Sequence, residues 1–412
     1  CELVPYFDSM NLGTSPGLPY TKTRPAWGKG KRYFFDTDEE GTSRPNEKYG
    51  EPLVEEFWHA IDQLRQGKLV KMLFRYTLKD ELRAIEKIRK AKTRIFCQSN
   101  ILCTMVGRFL FGEYAAALME SRVQNGMAVG INVYSIEFDR LVRHCKEVGN
   151  CVVAGDYTGF DTQCQPQFMH SFADCANAYY NDSAENQLAR KAFIELIVNS
   201  TGVFGDAVVT EFLGDPSGCN LTSIINCHVN LHNLMFAWLS WTDKHWPDLC
   251  DLSEYDRLTR PVVYGDDFWW SIVPEVAEHF GLPQVIAEVA KIGMAMTPED
   301  KGDIILQFKQ IENSTFLKQK PVLVDGLYYP QKAKAEIEEM TNWCTNAANL
   351  LEMTFDKCTD MMKLAAFHGA EYYNNLRDVT QECLNIRGCT SVLPDFAFQK
   401  DCHRRAWFGE TA

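Results

Sequence analysis

Apolar residues run up to and away from a pair of acids in Val262-Val263-Tyr264-Gly265-Asp266-Asp267-Phe268-Trp269-Trp270. This pattern predicts two buried strands joined by a tight turn with the carboxylates at its tip. Strand side chains alternate in direction, so Asp266 and Asp267 share one target only if the turn redirects one of them, a bend that Gly265 permits. A solvated turn is the ordinary account of adjacent aspartates. The Val-Val and Phe-Trp-Trp flanks count against it, because charges at the end of a buried ribbon need cations or hydrogen bonds to offset lost hydration. A second apolar run, Cys151-Val152-Val153-Ala154-Gly155-Asp156, ends in an acid as well, and a turn then leads to Asp161. Asp156 is therefore the candidate partner of Asp266. Asp161 reads equally as a cap for the helix carrying Phe168, Phe172 and Ala176.

Residues 216–242 contain no Asp, Glu, Lys or Arg but include Asn220, Asn226, His228, Asn230, His232 and Asn233, which predicts a buried helix, not a membrane span. A Pro216-Ser217-Gly218 loop leads into it, and Thr222 and Asn226 share one helix face. His228 and His232 have zinc-like spacing, yet Val229 stands where a zincin needs glutamate, which argues against a metal site there. Helical spacing continues from Leu102 to Arg143 with Phe109, Phe111, Tyr114, Ala117 and Leu118 as the core face. Residues 287–292 read as helix, and 315–318 with 322–329 as a hairpin. From Ala333 the tail is helical, with Trp343, Ala347, Leu350, Leu351 and Phe355 as its core.

Composition sets the scale: 412 residues, 46% hydrophobic and 12% aromatic, can bury a large core in two or three lobes. A net charge of −13 is unpromising for a protein that grips a polyanion, but the cations are concentrated. Ten basic and three acidic residues lie between Lys68 and Arg94, and Lys22, Arg24, Lys29, Lys31 and Arg32 form a second cluster. By composition Lys79-Asp80-Glu81-Leu82-Arg83 is a solvated helix face. Arg94, placed before Ile95-Phe96, is expected to start a strand and present its fork from a rigid base, a geometry suited to triphosphate. The turn-rich loop Asn11 to Tyr20, with Thr14 and Ser15, suits either a nucleic-acid backbone or a structural corner. Fifteen cysteines, without a Cys-x-x-Cys pair, point to core thiols in a reducing compartment. No segment has a signal-peptide pattern. A start at Cys1, not Met, is expected of either a product cut from a longer precursor or a fragment.

If Asp156 and Asp266 meet, they make a site for two divalent ions, and oxygen ligands with waters and phosphates favour magnesium over zinc. Lys301, in a Pro-Glu-Asp-Lys turn, reads locally as a surface lysine paired with Asp300 or Glu299.

The ordered set Lys79-Asp80-Glu81-Leu82-Arg83 with Arg94, Asp156 with Asp161, Ser217-Gly218 with Thr222 and Asn226, Tyr264-Gly265-Asp266-Asp267, Asp300-Lys301 and Phe316-Leu317-Lys318 resembles the RNA-dependent RNA polymerases of picornavirus-like positive-strand RNA viruses. The match runs from about Thr14 to Lys318. The resemblance implies an α+β closed right hand: fingers at 1–110, palm at 111–194, a fingers insertion at 195–212, palm again at 213–320 and a helical thumb at 321–412, the palm being an antiparallel sheet backed by helices. It implies RNA-templated RNA synthesis, with Asp156, Asp266 and Asp267 as catalytic and metal-holding residues, two magnesium ions replaceable by manganese, and Lys301 as a general acid. Arg94, Lys79, Arg83, Asp161, Ser217, Thr222 and Asn226 would bind the nucleotide; Thr14, Ser15, Gly218, Phe316, Leu317 and Lys318 would contact template and primer RNA. Further implied are ribonucleoside triphosphates as substrates, a protein primer and other viral replication proteins as partners, no transmembrane segment, and a place in membrane-associated replication complexes of the host cytoplasm. The family's extreme N-terminal segment is expected to be missing or shortened. Two other classes stay open: a reverse transcriptase, and a catalytically silent RNA-binding scaffold of the same fold.

Overall fold

The computed structural model describes residues 6, 8–81, 83, 85–302, 304–342 and 349–408. At its centre, strands Thr259–Tyr264 and Asp267–Ile272 form the expected antiparallel hairpin, and Cys151–Val153 pairs with the far side of the second strand. Alternation along Asp267–Ile272 sends neighbouring indoles into separate cores. Trp269 lies with Phe138, Leu141 and Val142 of helix Ile136–Lys146. Trp270 lies with Trp238, Tyr255 and Phe280 in the largest core, beside helix Thr222–His245. Two-faced burial explains why this hairpin reads as an apolar run without polar alternation.

The strand that carries Asp156 differs from expectation. The chain changes partner at Ala154: Cys151–Val153 belongs to the hairpin sheet, while Gly155–Tyr157 pairs with Met296–Pro298 in a separate two-stranded sheet. Asp156 is thus central in a short strand, opposite Thr297, not at the end of a long one. Gly155 allows the approach, since a Cβ there would lie 2.6 Å from the Met296 sulfur.

A four-stranded sheet stands apart, in the order Ile95–Gln98, Leu73–Leu78, Thr201–Phe204, Ala207–Thr210. Residues 201–210 therefore return to join strands from the first hundred residues, with Thr201–Phe204 parallel to Leu73–Leu78. Helix Ile101–Glu120 is long and apolar enough to cross a membrane, but 61% of its apolar window is buried inside the protein, as in a core helix.

Helical structure does not run unbroken from Leu102 to Arg143: it stops at Glu120 and resumes at Ile136. Phe111 and Tyr114 are buried as expected, whereas Phe109 is 46% exposed and packs edge-on against Phe57 and Trp58 at the surface. The hairpin Lys320–Val324 and Leu327–Gln331 shares its core with helix Ile136–Lys146, through Tyr328 and Phe138. Past it, helices Leu350–Ala365, Ala370–Ile386 and Phe396–Phe408 enclose a small third core. Its centre is Cys358, Met361, Met362 and Tyr373; Leu350 and Leu351 are exposed, and Trp343 and Ala347 fall outside the described residues. The helix faces inward one turn later than the apolar count suggested.

Candidate active site

Gly265 takes a left-handed φ of 62° at the hairpin turn, which puts Asp266 at the tip and Asp267 at the start of the outgoing strand. The Gly265 N–H is held by the Cys227 sulfur at 3.0 Å. Four carboxylates share one field there. Burial, then the charge on Asp156, raises the Asp266 carboxyl above its ordinary value, with Arg94 opposing. Asp266 and Asp267 both keep an exposed surface at the tip, yet crowding by protein, then the charges of Asp266 and Asp156, pushes Asp267 up to about 6, with Lys318 opposing. Asp161 is raised mainly by burial and also by Asp266, against the hydrogen bond from Asn226 and the charge of Arg94. The charge of Asp156 thus acts on Asp266 and Asp267, and that of Asp266 on Asp267 and Asp161, which places acids from two strands and a following turn within one field.

Among the described residues no three His, Cys, Asp or Glu side chains already converge tightly enough to hold an ion. The donors suit one nonetheless. They are hard carboxylate oxygens under mutual repulsion, and the Lys301 ammonium already stands 2.9 Å from Asp156, where a cation is favoured. This ion pair replaces the local pairing that the turn sequence suggested. Glu299 and Asp300 are instead taken by Lys309, at 2.9 Å from each.

Beside the acids, Asn226 donates from Nδ2 to Asp161 Oδ1 at 2.7 Å. Asp161 lies in a short 3-10 turn and caps no helix; the helix that follows starts at Pro166. Ser217 and Thr222 act one layer back. The Ser217 hydroxyl accepts from the Cys97 backbone N–H at 3.2 Å, and the Thr222 hydroxyl donates to the Pro216 carbonyl at 2.8 Å, so both bonds shape the loop and are not made to the Asp161–Asn226 pair. At Gly218 a Cβ would lie 1.8 Å from the Cys97 carbonyl oxygen, so the loop docks on strand Ile95–Gln98 only without a side chain there.

The predicted cations gather around one acid that the sequence reading gave no role. Glu81 lies 3.4 Å from Lys79, 2.9 Å from Arg83 and 3.8 Å from Arg94. The Lys79 N–H bonds the Arg94 carbonyl at 2.9 Å, which keeps the two cations side by side. Arg94 does precede a strand, Ile95–Gln98, and its side chain is 63% exposed and available to an anion. Further off, Phe316 is buried against Trp269, with ring centroids 5.3 Å apart, and Leu317 and Lys318 form a left-handed corner. The Thr14 hydroxyl donates to Asn11 and accepts from Lys31, and Ser15 accepts from the Gly17 N–H, so these hydroxyls stabilise their own loop.

Asp215 was also missed, although only its place between Gly214 and Pro216 hinted at enclosure. It is fully enclosed, neither carboxyl oxygen meets a well-aligned hydrogen-bond partner among the described residues, and burial, followed by the Cys219 and Asp161 charges, raises its pKa well above the usual value, with the Thr222 hydroxyl opposing. A carboxyl whose folded pKa is raised stabilises the fold fully below the ordinary carboxyl range, and that contribution is lost as pH climbs toward the folded value. One proton is worth about 1.4 kcal/mol per pH unit. Asp215→Asn is therefore expected to flatten the fall in stability above about pH 5 by up to that slope, read from urea unfolding across pH.

Comparison with known proteins bears on the family and the fold. Residues 1–384 match the family described as viral RNA-dependent RNA polymerase. The chain is 30% identical over 417 residues to the genome polyprotein of Rice tungro spherical virus (strain A), covering 98% of this chain and 12% of that polyprotein. It is 28% identical over 403 residues to the replicase polyprotein of Acute bee paralysis virus (strain Rothamsted), covering 92% of this chain and 20% of that one. The chain thus spans only a small part of the curated relatives it matches. A solved structure titled Sicinivirus 3Dpol RNA dependent RNA polymerase shares the fold, with a TM-score of 0.79 at 23% identity over 97% of this chain and 78% of that one. With the family match running over residues 1–384 of 412, this chain belongs to the viral RNA-dependent RNA polymerase family.

Proposed function

We propose that this chain copies RNA into RNA from ribonucleoside triphosphates. The carrying observation is the convergence of Asp156, Asp266 and Asp267 in one field, with Lys301 seated on Asp156. In the reaction the primer 3′-hydroxyl gives up its proton to solvent, its oxygen forms a bond to the α-phosphorus, the bond from that phosphorus to the bridging oxygen breaks, and pyrophosphate leaves. Asp156 and Asp266, assisted by Asp267, would hold two magnesium ions, with manganese able to substitute. When bound, such ions offset the charge on the attacking and leaving oxygens. Arg94, with Lys79 and Arg83 behind it, draws the triphosphate in, and Lys301 supplies the proton to the departing pyrophosphate. Gly218, Leu317 and Lys318 would lie along the path of template and primer, with Thr14 and Ser15 presented by a loop their hydroxyls brace and Phe316 anchoring the Leu317-Lys318 corner from the core. Fingers at 1–110 and 195–212, palm at 111–194 and 213–320 and thumb at 321–412 are the working division. Template and product RNA, a protein primer and other viral replication proteins are the partners, in membrane-associated complexes of the host cytoplasm.

The Asp161–Asn226 pair favours ribonucleotides over deoxyribonucleotides, because a site built to bond a hydroxyl leaves buried polar groups unmet when the hydroxyl is absent. Primer extension on an RNA template, with ribo- or deoxyribonucleotides, tests the reading directly. Ribonucleotide incorporation is expected, and Asn226→Ala should narrow the preference by roughly tenfold or more. Preferred deoxyribonucleotide use would make the chain a reverse transcriptase, and RNA binding without turnover would make it a scaffold.

A further inference from the structure

The strand bearing Asp156 and the turn bearing Asp266 lie in different sheets. Gly155–Tyr157 pairs with Met296–Pro298, and no backbone ladder among the described residues joins it to the hairpin turn. A shared cation site nevertheless requires the two to be held at a fixed separation. One side chain spans the gap. Asn230, fully buried on helix Thr222–His245, donates from Nδ2 to the carbonyl oxygens of Gly265 at 2.9 Å and Asp266 at 3.3 Å, and its Oδ1 accepts from the Tyr157 hydroxyl at 3.1 Å. The amide orientation follows from chemistry: turned over, its oxygen would face two carbonyl oxygens. Tyr157 directly follows Asp156, and its ring lies 5.9 Å from that of Phe268, directly after Asp267. Cys227, one turn earlier on the same helix face, holds the Gly265 N–H.

We propose that Asn230 is a positioning residue that sets the separation of the Asp156 and Asp266 carboxylates by tying the turn of one to the strand of the other. It needs a donor and an acceptor on one short side chain, which neither aspartate nor leucine offers. The inference rests on the reading of these carboxylates as ion-holding, and such supporting partners typically govern metal affinity by about 10–100-fold.

The test is Mn²⁺ affinity, followed by electron paramagnetic resonance of the free ion, together with single-nucleotide kinetics. Asn230→Leu is expected to keep its circular dichroism and RNA affinity while Mn²⁺ binding weakens by about 10–100-fold and kcat falls in step, with KM for nucleotide changed little. Tyr157→Phe should move both in the same direction by less, and the double variant should be no worse than Asn230→Leu, because both break one tether. A folded Asn230→Leu with undiminished Mn²⁺ affinity, or losses that add in the double variant, would overturn the proposal. If Asn230→Leu does not fold, Tyr157→Phe decides alone, and unchanged Mn²⁺ affinity there overturns it. Asp266→Asn is measured alongside: undiminished Mn²⁺ binding in that variant refutes the ion-holding role of the carboxylates and not the tether itself.

Discussion

Asp266→Asn and Asp156→Asn are each expected to abolish nucleotide incorporation while leaving RNA affinity near its original value. Carboxylates facing a triphosphate repel it by roughly 4 kcal/mol per charge pair at 4 Å and an effective dielectric of 20, so an occupied cation site must reverse the sign of that field. Removing one donor forfeits energy of the same order, and each 1.36 kcal/mol is tenfold in rate, so a loss of about a thousandfold is the minimum. On the proposed function, RNA affinity would rest mainly on phosphate contacts elsewhere, where the basic residues of the first quarter of the chain are concentrated. Stability separates this effect from damage to the fold. Burial and the charge of Asp156 disfavour ionised Asp266, so the neutral amide should leave the thermal midpoint equal or higher. Substantial incorporation by both variants, measured in a single-turnover primer extension, would remove these acids from the chemistry.

Lys301→Leu is expected to slow single-turnover incorporation by at least about tenfold with little change in nucleotide affinity. A general acid that protonates the leaving group contributes typically about 10²–10⁴-fold, and pyrophosphate leaves poorly while its new charge is unmet. Lys301 is suited to arrive on demand. It sits in a left-handed turn at φ 56°, its side chain is 67% exposed, and its ammonium rests on Asp156, the carboxylate that incoming cations would claim. On the proposed function, a cation held at Asp156 would displace the lysine and leave its ammonium free for the leaving group. Arginine at 301 keeps the charge but holds its proton too tightly to give it up, so Lys301→Arg should also be slow. Weakened nucleotide affinity with an unchanged maximal rate in Lys301→Leu would make the residue an electrostatic clamp and assign the proton to water.

What the sequence by itself determined is what the backbone settles locally. Valines before Gly265 and aromatics after Asp267 specify a buried hairpin with acids at its turn, because burial on both faces and a left-handed glycine are properties of adjacent residues. The same holds for the long helix behind Ser217-Gly218, whose stripe of asparagines announced buried polar groups that needed partners. Motif order then carried the family and the α+β right hand.

Tertiary structure decided which partner each group meets. Apolar count could not show that the chain leaves one sheet at Ala154 and enters another, since both strands look alike in sequence and only Met296–Pro298 selects the second. Lys301 was placed by Asp156 and not by its neighbours, which Lys309 had claimed from the far side of the turn. Glu81 became a hub because strand pairing brings Arg94 beside Lys79. Phe109 and Leu350 kept helical spacing yet face outward, as periodicity gives a face but not what covers it. Asn230 combines both cases. Its buried amide was visible in the chain, but its service to two separate strands exists only once three elements pack, because a side chain's chemistry is local and its hydrogen-bond partners are supplied by distant backbone.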